Sequence, residues 1–207
     1  MARKPLTSPR KSASQARSRA TVDALVEATA RILVREGFDQ ASTNRIAREA
    51  GVSVGSLYQY FPSKEALVLA LVARHNRDLM GVVQQALDEV AGQPLEAGVR
   101  RLVAAAVDAH RLDPKLHRVL SEQTPRTGAL ADVEAFNRET YDLFRAYLED
   151  HRAEVRARDL DLAAFVCVTS IEALTHTAVL HRPDVLADDA VETLVDEAAR
   201  LVLGYLR

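Results

Sequence analysis

The sequence has little of what cross-links or interrupts a fold. It contains one cysteine, Cys167, which excludes an intrachain disulfide framework and a zinc site built from several cysteines. Its 7 prolines and 8 glycines are spread along 207 residues, which leaves long uninterrupted segments and favours helices. The longest unbroken apolar run covers residues 66–73, well short of the roughly 20 residues that span a bilayer. We therefore expect no membrane-spanning segment.

Signals for secretion and for enzymatic chemistry are missing as well. The N-terminus is basic but has no apolar stretch of the kind that forms a secretory signal, so we expect a cytoplasmic protein. The sequence has no phosphate-binding P-loop, no dinucleotide fingerprint G-x-G-x-x-G and no H-E-x-x-H zinc motif. A binding protein that needs no cofactor and no metal fits these absences better than an enzyme does.

Charge is divided unevenly along the chain, although the net charge is only −2. Residues 1–75 carry twelve Lys/Arg and six Asp/Glu, whereas residues 76–207 carry fifteen and twenty-three. The first part therefore has a net charge of +6 and the second a net charge of −8. A basic N-terminal part favours a module that binds a polyanion. Residues 1–19 hold six basic residues and no acidic ones, so we expect a flexible basic arm there.

Apolar residues recur at helical spacing over the rest of the chain. We expect about nine helices and no strand, because no segment alternates apolar and polar residues with a period of two. Gly37 stands where the first helix should stop. A short helix is expected to end at residues 124–125, and the next to run over about 129–156. Residues 159–181 are apolar on nearly every side, which requires burial on every side.

The stretch from Ser42 to Lys64 has the dimensions of a helix-turn-helix. Its sequence, STNRIAREAGVSVGSLYQYFPSK, predicts two helices of about eight residues joined by residues 50–53. Gly51 can adopt a positive φ in the turn, and Ser53 can cap the second helix. The open alternative is a helical unit that forms part of an all-α fold and binds no nucleic acid.

The second helix of this motif is the expected contact surface for DNA. Its first residues should face outward and meet base edges in the major groove: Val54, Gly55 and Ser56. Four further side chains can donate to phosphate oxygens, and we expect the two tyrosines among them to be exposed: Thr43, Tyr58, Tyr60 and Lys64. Gln59 can pair with adenine, although its position on the far face of a short helix argues against this.

Residues from Gly37 to Leu67 resemble the DNA-binding domain of the tetracycline-repressor (TetR) family of transcriptional regulators. The resemblance is carried by Thr before Ile-Ala, then Ala-Gly-Val-Ser, a Gly, Leu-Tyr, Tyr-Phe and Lys-Glu-x-Leu. It implies an all-α fold with an N-terminal three-helix helix-turn-helix DNA-binding domain and a C-terminal helical bundle for ligand binding and dimerisation. The bounds that follow are 1–19 for the arm, 20–66 for the DNA-binding domain and 67–207 for the bundle.

The same resemblance implies a ligand-responsive repressor. It would bind a palindromic operator in double-stranded DNA as a homodimer and release it when a small organic inducer enters the C-terminal domain. Carried over position by position, the DNA-contacting set is Thr43, Val54, Gly55, Ser56, Tyr58, Tyr60 and Lys64. The alternative is a helical adaptor or scaffold protein without sequence-specific DNA binding.

Histidine and aromatic side chains in the C-terminal part are candidates for a mostly apolar ligand site. The candidates are His110, His117, Tyr141, Phe144, Phe165 and His176. His110 and His117 are seven residues apart, but Pro114 lies between them and breaks the helical register. A pocket wall or polar surface is therefore favoured over a metal site.

The apolar helix expected at 159–181 also carries polar groups. Glu172 and His176 are four residues apart, and a hydrogen bond across a helix interface or a contact with a ligand would satisfy them. Cys167 has no basic neighbours, so we expect an inert buried thiol. One bundle cannot cover all the apolar surface of this helix and of the last helix, and pairing of identical chains about a two-fold axis is the usual solution.

Overall fold

The computed structural model describes the backbone of residues 16–127 and 130–207, and the side chains of residues 18–121 and 133–207. These residues form nine α-helices and one short 3-10 helix, and none of them lies in a strand. The elements are α1 (Ala16–Gln40), α2 (Thr43–Glu49), α3 (Val54–Tyr60), α4 (Lys64–Glu89), α5 (Leu95–Leu112), α6 (Pro114–Thr127), α7 (Leu130–Asp150), α8 (Leu160–His181), the 3-10 helix (Pro183–Leu186) and α9 (Val191–Leu206). The all-α fold class predicted from the sequence is confirmed.

The first helix begins earlier than the sequence suggests. α1 starts at Ala16, four residues inside the segment assigned to the basic arm. Residues 16–20 contain no proline or glycine, so nothing in them opposes a helical backbone. The rest of the expected arm, residues 1–15, lies outside the described part of the chain.

Two helix ends in the C-terminal part also differ from expectation. α6 continues through Pro125, although a proline beyond the first turn of a helix removes a backbone hydrogen bond and crowds the carbonyl four residues before it. α7 ends at Asp150 rather than near Arg156. The Arg156 N–H donates instead to the Leu206 carbonyl (2.7 Å), a long-range bond that competes with continuation of the helix.

The described residues divide into two compact units. The first contains those up to His75 and those of Arg118–Asp132, and the second contains Asn76–His117 and Val133–Arg207. Fully buried side chains of α1 to α4 form the core of the first unit: Leu25, Ile32, Leu33, Ile46, Leu57, Phe61, Leu67 and Leu71. In the second unit α5 packs against α8 and α9, and the core extends to α7.

α1 is interrupted at Gly37, as predicted. This residue has φ of 75° and ψ of 171°, a conformation that residues with a side chain rarely adopt. Before the interruption, ion pairs join α1 to α2. Arg31 and Arg35 lie 3.1 and 3.3 Å from the Glu49 carboxylate, and their hydrogen bonds lower the pKa of Glu49.

A glycine allows close packing inside the second unit. A Cβ at Gly98 would overlap the phenolic oxygen of Tyr147, so only glycine leaves room for this ring as it stands. The buried Tyr147 hydroxyl donates to the Leu95 carbonyl (3.4 Å). Burial and the nearby carboxylate of Glu154 raise the pKa of Tyr147 to about 12, so the hydroxyl keeps its proton.

α8 is the helix whose sequence is apolar on nearly every side. Asp159 caps it by accepting a hydrogen bond from the Leu162 N–H (3.0 Å). Cys167 lies in the core of the second unit, but Leu162 and Phe165 remain 53% and 49% exposed. Among the described residues, α8 is the one helix long and apolar enough to cross a membrane by length and composition, a test that core helices also pass. Polar residues interrupt the sequence of α8, so the length of its unbroken apolar runs does not show that the helix as a whole is this apolar.

His151 follows α7 and bonds to two backbone carbonyls. Its Nδ1 lies 2.8 Å from Tyr147 O, and its Nε2 lies 2.8 Å from Gln93 O. Because a carbonyl oxygen only accepts, the ring makes both hydrogen bonds at once only when both of its nitrogens carry a proton, that is, as an imidazolium cation. Burial lowers the pKa of His151, but the two backbone hydrogen bonds and the carboxylates of Glu154 and Asp150 outweigh it and raise the pKa.

We expect the bonds of His151 to stabilise the protein more in acid than in base. A raised folded-state pKa contributes stability that is complete below the unfolded value of about 6.5 and is lost as the pH rises through the folded value. His151→Gln should lower the free energy of unfolding by about 1 kcal/mol at about pH 6, a modest value because the ring is partly exposed, and by less at about pH 9. Denaturant unfolding measures both values.

The exposed His181 supplies the matched control, since His181→Gln removes an imidazole from the same unit. Its effect on the free energy of unfolding should be small at either pH. An equal loss of stability in His151→Gln at the two pH values would contradict a charged His151.

Candidate functional site

α2 and α3 form the predicted helix-turn-helix. Each helix has 7 residues, and residues 50–53 join them. Gly51 has φ of 69°, the left-handed conformation expected for this turn. Ser42 caps α2 by accepting a hydrogen bond from the Arg45 N–H (3.4 Å). Ser53 caps α3 by accepting one from the Ser56 N–H (3.0 Å).

α3 buries one face and exposes the other. Leu57, Tyr60 and Phe61 are buried in the core of the first unit. Because these three positions share one side of a helix with 3.6 residues per turn, the remaining positions turn outward. Val54 is half-buried. The exposed positions of α3 are Gly55, Tyr58 and Gln59.

The expectation that both tyrosines of α3 are exposed is wrong for Tyr60. This residue is 8% exposed, whereas Tyr58 is 41% exposed. Tyr60 follows Leu57 by three positions, which places its ring on the buried side beside Phe61. Tyr58 is therefore the tyrosine of α3 that presents its phenol at the surface.

The structure brings several predicted hydroxyl groups together around the turn. The hydroxyl oxygens of Thr43 and Tyr58 are 3.0 Å apart, a hydrogen bond between the start of α2 and the exposed face of α3. The hydroxyl oxygens of Ser53 and Ser56 are 2.9 Å apart. Hydroxyl groups both donate and accept, so this surface can contact phosphate oxygens and base edges.

Lys64, the first residue of α4, is engaged within the chain. Its Nζ donates to the Phe38 carbonyl (2.7 Å) and lies 4.0 Å from the centroid of the Phe38 ring. Sequence reasoning missed this contact because the two residues are 26 positions apart. The available signal was a lysine at the start of a long helix, where the helix dipole disfavours a cation.

The three candidate histidines meet in the second unit. Ring centroids are 4.6 Å apart for His110 and His117, and 5.1 Å apart for His117 and His176. His117 Nε2 lies 3.0 Å from His176 Nδ1, so at least one of these two rings accepts a hydrogen bond and is neutral. Pro114 breaks the helical register between the first two histidines but does not keep their rings apart.

Burial keeps the outer histidines of this cluster uncharged. It lowers the pKa of His110, against the hydrogen bond that Nδ1 donates to Ala106 O (2.8 Å), and the nearby His176 lowers it further. Burial also lowers the pKa of His176, and the charge of His181 adds to this effect. Burial therefore favours the neutral form of His110 and His176, and a neutral imidazole can both donate and accept hydrogen bonds.

The aromatic candidates differ in their surroundings. The rings of Tyr141 and Phe165 pack edge to face with centroids 5.7 Å apart, and the Tyr141 hydroxyl lies 3.3 Å from Thr169 Oγ1. Phe165 is half-exposed, whereas Phe144 is buried in the core beside Tyr147. The position of Phe144 favours a structural role.

Polar groups of α8 find partners within the chain. His176 bonds to His117 of α6, which is the hydrogen bond across a helix interface that was expected for it. Thr175 donates to the carbonyl four residues before it (2.9 Å). Burial raises the pKa of the Glu172 carboxyl group. Burial also raises the pKa of Cys167 to about 12, so the thiol stays protonated and unreactive near neutral pH. The prediction of a buried thiol is confirmed.

Family comparisons agree with this arrangement. The family model described as bacterial regulatory proteins, tetR family, matches residues 25–71. The family model described as tetracyclin repressor-like, C-terminal domain, matches residues 94–206. The first match contains the helix-turn-helix, and the second contains α5 to α9.

Three known proteins illustrate the similarity. The chain is 33% identical to the HTH-type transcriptional activator FasR of Mycolicibacterium smegmatis over 141 residues, 64% of each chain. It is 29% identical to the nucleoid occlusion factor SlmA of Actinobacillus pleuropneumoniae over 86 residues, 42% of each chain. The chain thus spans less than two thirds of the length of these relatives. The fatty acid degradation regulator FadR of Bacillus halodurans has a similar fold, with a TM-score of 0.70 and 20% identity over 90% of this chain and 96% of that one.

Proposed function

The chain belongs to the TetR family of bacterial regulatory proteins, and we propose that it is a ligand-responsive repressor of transcription. In this proposal it binds a palindromic operator in double-stranded DNA as a homodimer. A small organic inducer binds the second unit and releases the operator. Proteins of this family are regulators rather than enzymes, and a regulator of bacterial genes acts in the cytoplasm.

The exposed face of α3 is the observation that carries this proposal. Its buried side fixes the helix, while Gly55 and Tyr58 are exposed and Val54 and Ser56 are half-buried, which suits insertion into the major groove. The residues proposed to meet base edges are Val54, Gly55 and Ser56. Thr43 and Tyr58 are proposed to donate to phosphate oxygens. Lys64 is proposed as a third phosphate donor, because the bond of its Nζ to the Phe38 carbonyl uses one of three N–H groups. We do not include Tyr60, whose ring is buried.

An apolar surface on α8 and α9 supports the homodimer. Five large apolar side chains of these helices are between 38% and 53% exposed: Leu162, Phe165, Leu174, Leu201 and Tyr205. A group of exposed apolar residues marks an interaction surface, and two-fold pairing of identical chains is the commonest way to cover one. Two-fold pairing also matches the symmetry of a palindrome.

The histidine cluster supports a site for the inducer in the second unit. We propose His110, His117 and His176 as polar anchors and Tyr141 and Phe165 as its aromatic part. Imidazole nitrogens and aromatic rings suit an organic, moderately hydrophobic molecule with a few hydrogen-bonding groups.

Activation of transcription is the second candidate function. It is favoured by the similarity to FasR, which is a transcriptional activator. A repressor and an activator share the same DNA-binding surface, so the two functions differ in the effect on a neighbouring promoter rather than in the contacts with the operator.

Selection of duplexes from a randomised DNA pool by the purified protein tests the proposal. We expect a palindromic duplex to be enriched, and a reporter gene placed behind it to fall in expression when the protein is present. A rise in expression would favour the activator. Organic molecules that raise the melting temperature should lower the affinity for the duplex. Failure to enrich any duplex would favour a helical adaptor.

Two hydroxyl deletions should separate phosphate contacts from base contacts. Tyr58→Phe removes the hydroxyl that bonds to Thr43, so binding to selected and random duplexes should weaken alike, by about 1 kcal/mol. Ser56→Ala removes a hydroxyl near the bases, so sequence preference should change more than overall affinity. Fluorescence anisotropy with both duplexes measures these effects. Thr193→Val removes an exposed hydroxyl of α9 and is the matched control. Unchanged binding in both variants would rule out this face.

Two neighbouring residues of α9 should separate the dimer interface from the core. Leu201 is 52% exposed and Val202 is 1% exposed. Leu201→Asp should therefore leave the chain folded and favour monomers, whereas Val202→Asp should bury an unpaired charge and destabilise the second unit by several kcal/mol, on the order of the cost of burying a charge. Analytical sedimentation and thermal unfolding measure the two effects. A wild-type monomer that binds the palindrome tightly would contradict the homodimer.

A further inference from the structure

One face of α8 runs from the aromatic part of the proposed inducer site to its histidine cluster. Four residues form this face, at intervals of four, three and four positions: Phe165, Thr169, Glu172 and His176. These intervals keep side chains on one side of a helix with 3.6 residues per turn. At 1.5 Å per residue, the face is roughly 16 Å long.

Neighbouring helices cover both ends of this face. At its start, the ring of Phe165 packs edge to face on Tyr141 of α7, and the Tyr141 hydroxyl bonds to α8 one turn further on (3.3 Å). At its end, His176 Nδ1 lies 3.0 Å from His117 Nε2 of α6. Glu172 is half-buried and occupies the position between these two contacts. Its carboxyl group is therefore the one acidic group of this face.

The carboxyl group of Glu172 has no partner in the part of the chain that the structure describes. No side chain or backbone group there donates a hydrogen bond to it, and α8 itself contains no lysine or arginine. Burial raises the pKa of Glu172, because the carboxylate loses hydration without gaining a compensating charge. A carboxyl group in these surroundings is costly unless a molecule from outside the chain pairs with it.

The charges on this face favour an organic cation over an organic anion. An anion would lie beside the carboxyl group of Glu172, and α8 offers it no cationic side chain. Burial lowers the pKa of His176 and so disfavours the positive form of that ring as well. A cation would instead meet a carboxylate at the middle of the face and the electron-rich rings of Tyr141 and Phe165 at its start.

We propose that Glu172 is the charged anchor of the inducer site and that the inducer is an organic cation, an apolar molecule with a protonated amine. Its ammonium group donates to the Glu172 carboxylate, and its apolar part lies toward Tyr141 and Phe165. The inference rests on the proposed function, because it names the chemical class of the inducer proposed there.

Three probes that differ only in their head group test this inference. They are 6-phenylhexylamine, 6-phenylhexanol and 6-phenylhexanoic acid, which near neutral pH are a cation, a neutral molecule and an anion. The rise from Phe165 to Glu172 is about 10 Å, a length that the phenylhexyl group can span. Calorimetric titration of the full chain without DNA measures the three dissociation constants. We expect the amine to bind roughly tenfold tighter than the alcohol, the scale of one charge-assisted hydrogen bond, and the acid to bind weakest.

Variants of Glu172 separate its charge from its size. Glu172→Gln keeps the size and removes the charge, so affinity for the amine should fall to that for the alcohol, which should itself stay unchanged. Glu172→Asp keeps the carboxylate on a shorter side chain, so it should retain part of the preference for the amine. Glu139→Gln removes an exposed carboxylate of α7 and is the matched control, which should change none of the constants.

Several results would overturn the proposal. They are the absence of amine binding, equal affinity of the wild type for the amine and the alcohol, and tightest binding of the acid. A preference for the amine that persists in Glu172→Gln would overturn it too. If thermal unfolding shows that Glu172→Gln does not fold, Glu172→Asp and the comparison of the three probes on the wild type decide the question.

Failure of this inference and failure of the proposed function give different results, because the probes are titrated without DNA. A chain that prefers the amine through Glu172 but enriches no duplex would support the cation site and contradict the DNA-binding function. A chain that enriches a palindrome but binds the three probes alike would support the DNA-binding function and contradict the cation site.

Discussion

Burial of Leu57 is the constraint on which the outward surface of the helix-turn-helix depends. A helix of seven residues does not persist by itself in water, so α3 forms because Leu57, Tyr60 and Phe61 are anchored in the core of the first unit. Burial of these three side chains fixes the rotation of α3 about its own axis. That rotation, rather than any property of the outward side chains, determines which groups solvent and nucleic acid meet.

Features of this motif that depend on neighbouring residues could be predicted from the sequence. Ser53 caps α3 and Gly51 takes a positive φ because caps and turns are decided within a few positions. The burial of Tyr60 could not be predicted in this way, because it depends on side chains from other helices. The contact between Lys64 and Phe38 could not be predicted from the sequence either, because it joins two helix ends that only the tertiary fold brings together.

In the second unit, tertiary packing decides the chemistry of residues that look equivalent in the sequence. His110 and His117 meet although Pro114 begins a new helix between them, because the backbone leaves the helical conformation at Asp113. The surroundings then set the charge of each ring. Burial lowers the pKa of His110, whereas two carbonyl acceptors raise that of His151. Residue type and spacing could identify the histidines as candidates but could not assign these opposite properties.

The close approach between Gly98 and Tyr147 links two positions of the chain in evolution. A Cβ at position 98 would overlap the phenolic oxygen and lie 2.8 Å from Tyr147 Cζ, so removal of the hydroxyl alone would not make room for it. A descendant of this sequence acquires a side chain at position 98 only if the Tyr147 ring moves or a smaller residue replaces it. A change at position 147 therefore eases a later change at position 98, and the two positions are coupled along a lineage.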